Sequence, residues 1–599
     1  MRRGVGLWTI FVVLTGSCTG VGKAQPTAQT KHESKQSSDT THYEITGVVL
    51  NSVGGDPVAH CHLTPNLVGR RGPAGRGGFG NRQFPAQDNS FDCDLRGHFT
   101  VTLPSAGAWR LTASARGFVS QAFDEHEGYY SSDIVLTAEA PTKDIEFRLS
   151  PEASIAGVVL DEAGEPVRNA QIMLQNVPPP SPGGPQPVGA TRGSARTDDR
   201  GMYELANLSP GEYRLSIHAM PWYTAGGQTI RTANADTDTS LDPSLDFAYP
   251  IAWFPGVTDP SLAETIVLHA GDARQADFHL VPIPSIHMRI LTPPRVNNAP
   301  NAPSAPTIPI VQPLGPGGGG QSFVQVTTRI DQTGQIDVGG LTPGVYQIRL
   351  AGPNQEGHSA LVEVTANSAR TLDLTAPSRD MARISLRFDG VADSDTSSRQ
   401  GRNGGVQVTL IDTDTQRGSF SSNGTEGGGP GLARRDQRDP TADRIIEVPP
   451  GRYEVVLNGR PNIFLTGLTA KGAETAGRYL TVGAGESTLT VHVASGRASL
   501  SGIVTLEGKP CIGAMVLLVP ITIEDPNSIT VLLRDQTNTD GSFELANIIP
   551  GQYILVAIDH GWQINWGDRS TLRRYLMQGV PVELRSSAIV KQNITAEAP

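Results

Sequence analysis

A short run of sulfur and imidazole side chains near the N-terminus could bind a metal ion or form a disulfide. His60, Cys61 and His62 are consecutive, and Cys93 follows further along the chain. Alternation along a strand places His60 and His62 on the face opposite Cys61, which would divide the ligands of a metal site between two faces. Because exported chains meet an oxidising compartment, we predict a Cys61–Cys93 disulfide with two surface histidines, and no metal site.

Aromatic residues are the best candidates for a binding site. They are concentrated in residues 222–254 and 562–575. A flat ring with a polar edge can stack on the face of a sugar, so carbohydrate is the expected ligand class. The alternative, favoured for any single ring, is that these rings cover the rim of a small β-sandwich. The predicted ligand-binding residues are Trp222, Tyr223, Trp253, Trp562, Trp566 and Tyr575.

Motifs of catalysis are missing from the sequence. It contains no Gly-x-Ser-x-Gly, no phosphate-binding glycine loop and no His-Glu-x-x-His. We therefore predict a protein that is not an enzyme and that binds no cofactor. An enzymatic alternative would require Asp, Glu or His side chains that converge in a pocket, which the sequence does not indicate.

A repeated stretch of sequence must position these candidate residues. In residues 197–217, Asp198 and Gly201 favour a tight turn, and Pro210-Gly211 suit the centre of a type II turn. Residues from Tyr213 onward alternate as in a half-buried strand. A Tyr just after Pro-Gly resembles the tyrosine corner of Greek-key sandwiches, in which the phenol ties a strand to a crossing loop. Related stretches are residues 94–111 with Trp109 in place of the Tyr, 331–348 with Tyr346, 445–456 with Tyr453, and 537–555 with Tyr553.

These recurrences, roughly 100 residues apart, predict modules of one kind. Each module opens with a strand such as Ile155–Leu160 and closes on one such as Asp144–Leu149. Short strands in this number cannot bury a face as one sheet, so each module is expected to pack as two sheets. The predicted organisation is a signal peptide over 1–24, a flexible leader over 25–42, and β-sandwich modules over 43–150, 151–283, 284–378, 379–497 and 498–599.

Low-complexity insertions fall mainly in one place, between the early hairpin and the Asp/Gly turn of a module. They are rich in Gly, Pro and Arg and cannot build a core. The favoured interpretation is a loop that tolerates length, and the alternative is a row of functional loops at one end of the array. The insertions are Gly69–Arg82, Pro178–Gly193, Pro293–Gln321 and Gly418–Asp439.

Composition and charge agree with turn-rich β modules. The chain has 599 residues with 67 Gly and 45 Pro, and 18% of its residues are charged. The net charge is −11, without a dense run of one sign, so we expect no nucleic-acid partner.

The N-terminus has the pattern of an export signal. Arg2 and Arg3 precede an apolar run, Val5–Leu14, which is too short to span a bilayer. The predicted location is periplasmic, extracellular or at the cell surface, with no membrane span. Lipidation at Cys18 ranks second, because the residue three before it, Thr15, is not aliphatic. Cys511 is expected to be a small buried hydrophobe.

Four motifs of the second module resemble the carboxypeptidase regulatory-like domain, and the fifth module resembles it as well. The motifs are Gly157-Val-Val, Gly164-Glu-Pro-Val, Thr197-Asp-Asp-Arg-Gly-x-Tyr and Leu208-Ser-Pro-Gly-x-Tyr213. The resemblance implies a transthyretin-like (prealbumin-like) β-sandwich of seven strands, related to carbohydrate-binding-like folds, in an exported bacterial repeat protein. The zinc peptidase that precedes this domain in some relatives has no counterpart, because His-x-x-Glu is absent. The first strands of the modules contain no Lys, so we expect no Lys–Asn isopeptide bond.

The favoured fold is therefore an all-β tandem array of about five transthyretin-like sandwiches. The favoured function is that of an exported, non-enzymatic binding or scaffold protein with carbohydrate as its ligand class. The alternatives are a structural spacer or protein–protein interaction module of the cell envelope, and an accessory part of a secreted hydrolase system. Expected partners are a polysaccharide or an envelope protein, and the oligomeric state is not predicted.

Overall fold

The structure is a computed structural model, and all of its described residues belong to one compact unit, His42–Pro599. The predicted signal peptide, nearly all of the leader, Cys18 and Trp566 lie outside the described residues. The described residues are 42–68, 90–177, 191–227, 231–232, 246–293, 308–314, 326–330, 335–351, 359–366, 370–376, 380–390, 406–413, 419–421, 444–460, 462–564 and 568–599.

The alternating sequence forms short strands that group into successive pairs of sheets, which we call the first to fifth sandwiches. The first sandwich contains β1 (Tyr43–Asn51), β2 (His62–Leu67), β3 (Phe91–Asp92), β4 (His98–Leu103), β5 (Gly107–Ser114), β6 (Gln121–Ala122), β7 (Ile134–Leu136) and β8 (Thr142–Leu149). The second contains β9 (Ala153–Leu160), β10 (Gln171–Asn176), β11 (Thr191–Arg196), β12 (Met202–Leu208), β13 (Gly211–His218), β15 (Phe247–Ala248), β16 (Ala252–Trp253), β17 (Ile266–Leu268), β18 (Ala273–Gln275) and β19 (Phe278–His279), whereas β14 (Arg231–Thr232) joins a sheet of the third sandwich.

Strand β20 (Ile283–Pro284) leads from the second sandwich into the third and pairs with β15 of the second. The third sandwich contains β21 (Ile286–Leu291), β22 (Ile308–Leu314), β23 (Thr327–Ile330), β24 (Ile336–Leu341), β25 (Gly344–Ala351), β26 (Ser359–Val364) and β27 (Thr371–Asp373). The fourth contains β28 (Ala382–Asp389), β29 (Gln407–Asp412), β30 (Ser419–Ser421), β31 (Arg444–Val448), β32 (Gly451–Asn458), β33 (Ile463–Lys471), β34 (Ala473–Ala476), β35 (Tyr479–Val482) and β36 (Gly485–Ser495).

The fifth sandwich adds the one α-helix of the described residues. Its strands are β37 (Ala498–Leu506), β38 (Lys509–Pro510), β39 (Met515–Pro520), β40 (Leu533–Gln536), β41 (Ser542–Ile548), β42 (Gly551–Ile558), β43 (Val580–Leu584), β44 (Ile589–Lys591) and β45 (Ile594–Thr595), and its helix is α1 (Arg569–Leu576). Short 3₁₀ helices lie at Trp222–Gly227, Pro260–Leu262 and Gly561–Gln563.

One strand plan recurs in all of the sandwiches. In the first, β1 pairs antiparallel with β4 and parallel with β8, so the first and last strands are neighbours. The same parallel pairing joins β9 to β18 and β19, β21 to β27, β28 to β36, and β37 to β44 and β45. The second sheet of each sandwich centres on the strand that follows the predicted corner: β5, β13, β25, β32 or β42. The predicted all-β array of transthyretin-like sandwiches is confirmed, whereas the exact module boundaries stay a prediction.

Alternation along the strands supplies the core of each sandwich. In the second, every other residue of β9 is buried, and Ile155 packs in one cluster with Ile172 of β10 and Leu215 of β13. Gly157 lets the closing segment of the second sandwich lie close to β9. A Cβ at Gly157 would lie 2.0 Å from the carbonyl oxygen of Ala276 and 2.9 Å from the Tyr203 ring. Only a residue without a side chain fits between these two groups.

The predicted aromatic corner is confirmed, and the same hydrogen bond recurs in every sandwich. Each ring donates to the backbone carbonyl four residues earlier. The bonds run from Trp109 to Ser105 at 3.2 Å, Tyr213 to Ser209 at 2.8 Å, Tyr346 to Thr342 at 2.9 Å, Tyr453 to Pro449 at 2.6 Å, and Tyr553 to Ile549 at 2.6 Å. The five rings are at most 6% exposed, and the accepting residues range from the buried Thr342 and Pro449 to the exposed Ser209.

The turn that precedes the corner differs from the predicted one. Asp198 forms the expected tight turn by accepting from the backbone N–H groups of Arg200 and Met202, and Gly201 has φ +72°. The prediction of a type II turn at Pro210-Gly211 is wrong, because Gly211 has φ +158° instead of about +80°. The glycine instead brings the backbone against the Tyr213 ring, 3.5 Å from where a Cβ would be.

Strands β11, β22 and β30 reach into segments that were predicted as insertions, and β11 does so only with its first residues, from Thr191. Residues Ile308–Leu314, within the predicted insertion Pro293–Gln321, form β22 and pair along their whole length with β25. Pro309 and Pro313 obscured this strand, but β22 lies at a sheet edge, where a missing N–H is tolerated. Ser419–Ser421 likewise form β30. The rest of the four insertions lies mostly outside the described residues. The third sandwich closes on β27, and the preceding strand β26 belongs to the other sheet.

The fifth sandwich has a second hydrophobic cluster on the outside of a sheet. Every residue of β39 is buried, because one face lies in the central core and the other lies beneath α1. Leu572 and Tyr575 of the helix pack there on Met515 and Leu517. Asp568 caps the helix by accepting from the N–H groups of Ser570 and Thr571. Hydrogen bonds from the hydroxyl groups of the same two residues, together with these backbone bonds, lower the pKa of the Asp568 carboxyl to about 2.

The corner hydrogen bond predicts a specific loss of stability. Tyr453→Phe keeps the ring but leaves the Pro449 carbonyl without its donor, so the fourth sandwich should lose about 1–3 kcal/mol. Hydrogen exchange of the amides in β28 and β32 measures this loss locally. Tyr223→Phe is the control, since its phenol makes only a long surface contact of 3.4 Å. Equal protection in the two variants would contradict a stabilising corner.

Candidate functional site

The predicted disulfide is present. Cys61 and Cys93 are bonded, with Cα atoms 5.1 Å apart, in the core of the first sandwich. His62 points to the surface and its Nδ1 lies 2.6 Å from a carboxylate oxygen of Asp92. Cys511 is buried as expected, and burial raises the pKa of its thiol to about 11.

The six predicted ligand-binding residues occupy different environments. Trp253 and Tyr575 are 6% and 3% exposed and offer no free ring face in this conformation. Trp566 lies outside the described residues. Trp222 is 76% exposed, and Tyr223 beside it is half-buried. Trp562 is half-buried, and its partners come from another sandwich. A role for these residues in binding a ligand stays a prediction.

Trp562 belongs to an interface between the first and fifth sandwiches, which we call the clasp. Its ring lies 5.2 Å from the His126 ring in a stacked arrangement and 4.8 Å from the Tyr130 ring. Its Nε1 donates to the Gly513 carbonyl at 3.0 Å. The Arg534 guanidinium lies over the Tyr130 ring at 4.9 Å and makes two bonds of 2.9 Å to the Glu127 carboxylate. Ring faces used in this way are not available to a sugar.

A row of polar bonds completes the clasp. Gln536 is fully buried, and its amide nitrogen donates to the Asp124 carbonyl at 2.6 Å and the Ser132 hydroxyl at 2.9 Å. The next residues pair with the first sandwich almost as a strand would: Thr539 N–H donates to the Asp133 carbonyl at 3.1 Å, and Val135 N–H donates to the Thr539 hydroxyl at 2.9 Å. The clasp therefore joins segments that are about 400 residues apart through directional bonds.

The exposed pair Trp222–Tyr223 forms a small surface site with an acid, which we call the aromatic site. The two rings meet edge to face at 5.7 Å. Glu162 accepts long hydrogen bonds from the phenols of Tyr223 and Tyr249, at 3.4 and 3.3 Å. Burial, and then the negative charge of Glu162, raise the pKa of both phenols, which remain neutral donors. The Trp222 ring face and the exposed Glu162 carboxylate remain accessible.

A cavity of about 40 Å³ lies next to this site, where the second sandwich meets the third. His218 lines it, is 9% exposed, and has its pKa lowered to about 4 by burial. Asp246 also lines it and contacts His287 of the third sandwich, whose Nε2 is 3.1 Å away. The other nitrogen of His287, Nδ1, lies 2.9 Å from Asp337. The hydrogen bond to Asp337, supported by Asp246 and opposed by burial, raises the pKa of His287.

One chain of hydrogen bonds has the order found in serine hydrolases. In the fourth sandwich, the Thr469 hydroxyl lies 2.9 Å from Nε2 of His492, and Nδ1 of His492 lies 2.9 Å from Asp389. The sequence did not suggest it, because its members come from three separate strands. Asp389 is 69% exposed, so water competes for the carboxylate that would orient the imidazole. Thr469 also differs from a serine nucleophile, because its hydroxyl is a secondary alcohol and a methyl group crowds the carbon that bears the oxygen.

No group of three or more His, Cys, Asp or Glu side chains in the described part of the chain could hold a metal ion. None of the described helices is long and apolar enough to cross a bilayer.

Comparison with known proteins identifies part of the second sandwich. Residues 154–246 match the carboxypeptidase regulatory-like domain. The resemblance seen in the motifs is thereby confirmed for this region. The matched segment includes the Tyr213 corner and ends at Asp246, the partner of His287. No curated protein sequence matches the chain.

Solved structures resemble the chain only distantly. A Bacillus anthracis protein named TIE is 12% identical, with 77% of this chain and 76% of that one covered, at a TM-score of 0.16. A streptococcal ancillary pilin is 11% identical over 55% of this chain and 98% of its own, at a TM-score of 0.18. The minor pilin GBS52 of Streptococcus agalactiae is 10% identical over 43% and 100%, at a TM-score of 0.19. TM-scores this low do not indicate a shared overall architecture.

The clasp gives a charge-reversal prediction. Glu127→Arg and Arg534→Glu should each weaken it, and the double variant should recover part of the loss, with a coupling of about 1.5–3 kcal/mol between the two charges. Hydrogen exchange of residues 124–135 and 533–539, with thermal unfolding, measures the effect. Arg585→Glu is the control, because its ion pair with Glu583 is on the surface. Additive single-variant effects would contradict a direct contact.

The junction beside the regulatory-like domain should depend on pH. Because the pKa of His287 is raised in the folded chain, the stabilisation by its two carboxylates is fully present below the unfolded pKa of about 6.5. It is lost as the pH rises through the higher folded pKa. Hydrogen exchange of β20 and β21 should therefore quicken, beyond its intrinsic pH dependence, between neutral and alkaline pH in the parent chain but not in His287→Gln. Identical pH profiles would show that His287 does not link the two sandwiches.

Proposed function

We propose that this chain is an exported, non-enzymatic scaffold that binds carbohydrate through the aromatic site of its regulatory-like domain. The observation that carries the proposal is the 76% exposure of Trp222 beside Tyr223 and the Glu162 carboxylate. A large ring at the surface costs free energy in water, and covering it with the apolar face of a sugar regains that energy. Glu162 can accept hydrogen bonds from the sugar hydroxyls at the same time.

Of the ligand-binding residues predicted from the sequence, the proposal keeps Trp222 and Tyr223 of the second sandwich. Trp562 already stacks on His126, and Trp253 and Tyr575 are buried, so these rings contribute to packing. Trp222 and Tyr223 have no comparable role in a core. Both belong to the 3₁₀ helix Trp222–Gly227, which projects them from the end of β13.

Export rests on the N-terminal pattern and on the disulfide. Cys61 and Cys93 are bonded within a core, which suits an oxidising compartment. Arg2, Arg3 and the apolar run Val5–Leu14 supply the signal. We propose a periplasmic, extracellular or cell-surface location for the mature chain.

The experiment is a binding titration of the full chain with neutral oligosaccharides. Dextran and cello-oligosaccharides are tested first, and a glycan array selects the further neutral glycans to titrate. Trp222→Ala should weaken binding about tenfold or more, which corresponds to about 1.4 kcal/mol of lost stacking. Leu95→Ala is the matched control, because Leu95 is 74% exposed and lies in another sandwich. Binding that is unaffected by Trp222→Ala, or absent for all neutral glycans, would contradict the proposal.

The hydrogen-bonded chain Asp389–His492–Thr469 makes the non-enzymatic part of the proposal testable. A fluorophosphonate reagent should not label Thr469, because the exposed Asp389 cannot hold the imidazole as a buried carboxylate does. Labelling that is lost in His492→Ala would contradict this part of the proposal and favour a hydrolase.

A second candidate function is that of a structural spacer or protein–protein interaction module of the cell envelope. It is favoured by the clasp, because an array whose ends bind each other holds its sandwiches at fixed spacings. Pull-down of a defined envelope protein by a chain that binds no glycan would support this function over the first.

A further inference from the structure

The fourth sandwich presents a polar sheet face on the side away from its core. In β36, Leu489 and Val491 are buried, so Thr488 and Thr490 point outward. Strand pairing places Arg387 of β28 on one side of Thr490 and Thr469 of β33 on the other. In the next row, Lys471 of β33 is beside Thr488.

These residues line a shallow groove with a volume of about 350 Å³. We call it the threonine groove; it is lined by Arg387, Thr469, Ala470, Lys471, Thr488 and Thr490. A volume of this size is at the lower end of the range for small-ligand sites. It suits one or two sugar residues better than a folded partner.

The two cations of the threonine groove have no acidic partner among the described residues. Neighbouring basic residues do have acidic partners: Arg383 lies 3.8 Å from Glu447, and His492 lies 2.9 Å from Asp389. Arg387 and Lys471 are both exposed and flank the central strand from opposite sides. Acids border the groove at both ends: Asp389 lies one row beyond Arg387 on β28, and Glu486 lies one row beyond Thr488, opposite Arg383. The residues that line the groove therefore carry two positive charges and no negative charge, on a chain whose net charge is −11.

The hydroxyl groups of the groove are held in place. The Thr469 hydroxyl lies 2.9 Å from Nε2 of His492, and Nδ1 of that imidazole lies 2.9 Å from the exposed Asp389 carboxylate. Thr488 and Thr490 project from a strand that is paired on both sides, so their Cβ atoms cannot move far. Fixed hydroxyls between two cations can bond an oxyanion and the hydroxyls beside it at low entropic cost.

We propose that the threonine groove binds the carboxylate-bearing residues of an acidic polysaccharide. The Arg387 guanidinium would bind the carboxylate through two parallel N–H groups, and Lys471 would act as a point charge on the same or the next residue. The threonine hydroxyls would bond the ring hydroxyls. The inference rests on carbohydrate as the ligand class of the proposed function, but it does not depend on Trp222.

The test is a calorimetric titration of the full chain with galacturonate oligomers, and with dextran oligomers as the neutral probe. Arg387→Gln/Lys471→Gln should weaken galacturonate binding at least tenfold and leave dextran binding unchanged. Lys509→Gln/Lys591→Gln is the matched control, because it removes two exposed cations from the fifth sandwich. Raising the salt concentration should weaken galacturonate binding to the parent chain and have little effect on the groove variant. Circular dichroism verifies that both variants fold.

Three outcomes would overturn the inference: no galacturonate binding, equal binding by the groove variant, or full competition by equimolar inorganic sulfate. Failure of the proposed function has a different signature. In that case the chain does not bind dextran, or Trp222→Ala leaves the affinity of the chain for dextran unchanged. The groove variants still alter the binding of galacturonate oligomers. A Thr469→Val variant, which removes one hydroxyl and no charge, should cost a few-fold in affinity.

Discussion

The hydrogen bond from an aromatic ring to the carbonyl four residues earlier is the constraint on which each sandwich depends. It fixes the end of one strand and the start of the next while the chain crosses from one sheet to the other. Tyr453 and Tyr553, which make this bond, are among the largest fully buried side chains. At Thr342 and Pro449, which are buried, the carbonyl requires a donor, and the phenol of the following strand supplies it. In the first sandwich the indole of Trp109 replaces the phenol and reaches Ser105, so the constraint concerns the donor and its reach, and not the residue type.

Repetition made most of this fold predictable from the sequence. The corner residues, the Asp198–Gly201 turn and the alternation of β9 and β13 depend on local chemistry, which one sequence carries in full. The Cys61–Cys93 disulfide was also predictable, because both residues were expected in strands of one module. The third sandwich was harder, since Pro309 and Pro313 lie in a strand whose position at an edge depends on the whole sheet. Helix α1 has eight residues, and its burial on β39 depends on packing that no local pattern reveals.

The candidate site was less predictable than the fold. Aromatic type indicates a large apolar ring but not its exposure, and Trp222 and Tyr575 differ in exposure by more than 70 percentage points. The difference is set by tertiary structure: Tyr575 lies on the face of α1 that packs on β39, whereas Trp222 projects from the surface. Trp562 likewise meets a sandwich about 400 residues earlier in the chain. The clasp was invisible to sequence reasoning for the same reason. Its polar residues, such as Gln536 and Thr539, look like ordinary strand and turn residues until the first sandwich is placed against them.

The clasp and the threonine groove show how one strand plan can hold different surfaces. Residues that face a core must satisfy packing in each sandwich, so they resemble one another along the chain. Residues that face outward are free to differ. In the fifth sandwich the outer face of β39 is apolar and covered by α1, whereas in the fourth the outer face of β36 has two threonines between Arg387 and Lys471. Because a sheet face exposed to water tolerates polar and charged side chains alike, the outer faces can carry different chemistry while the strand plan stays the same.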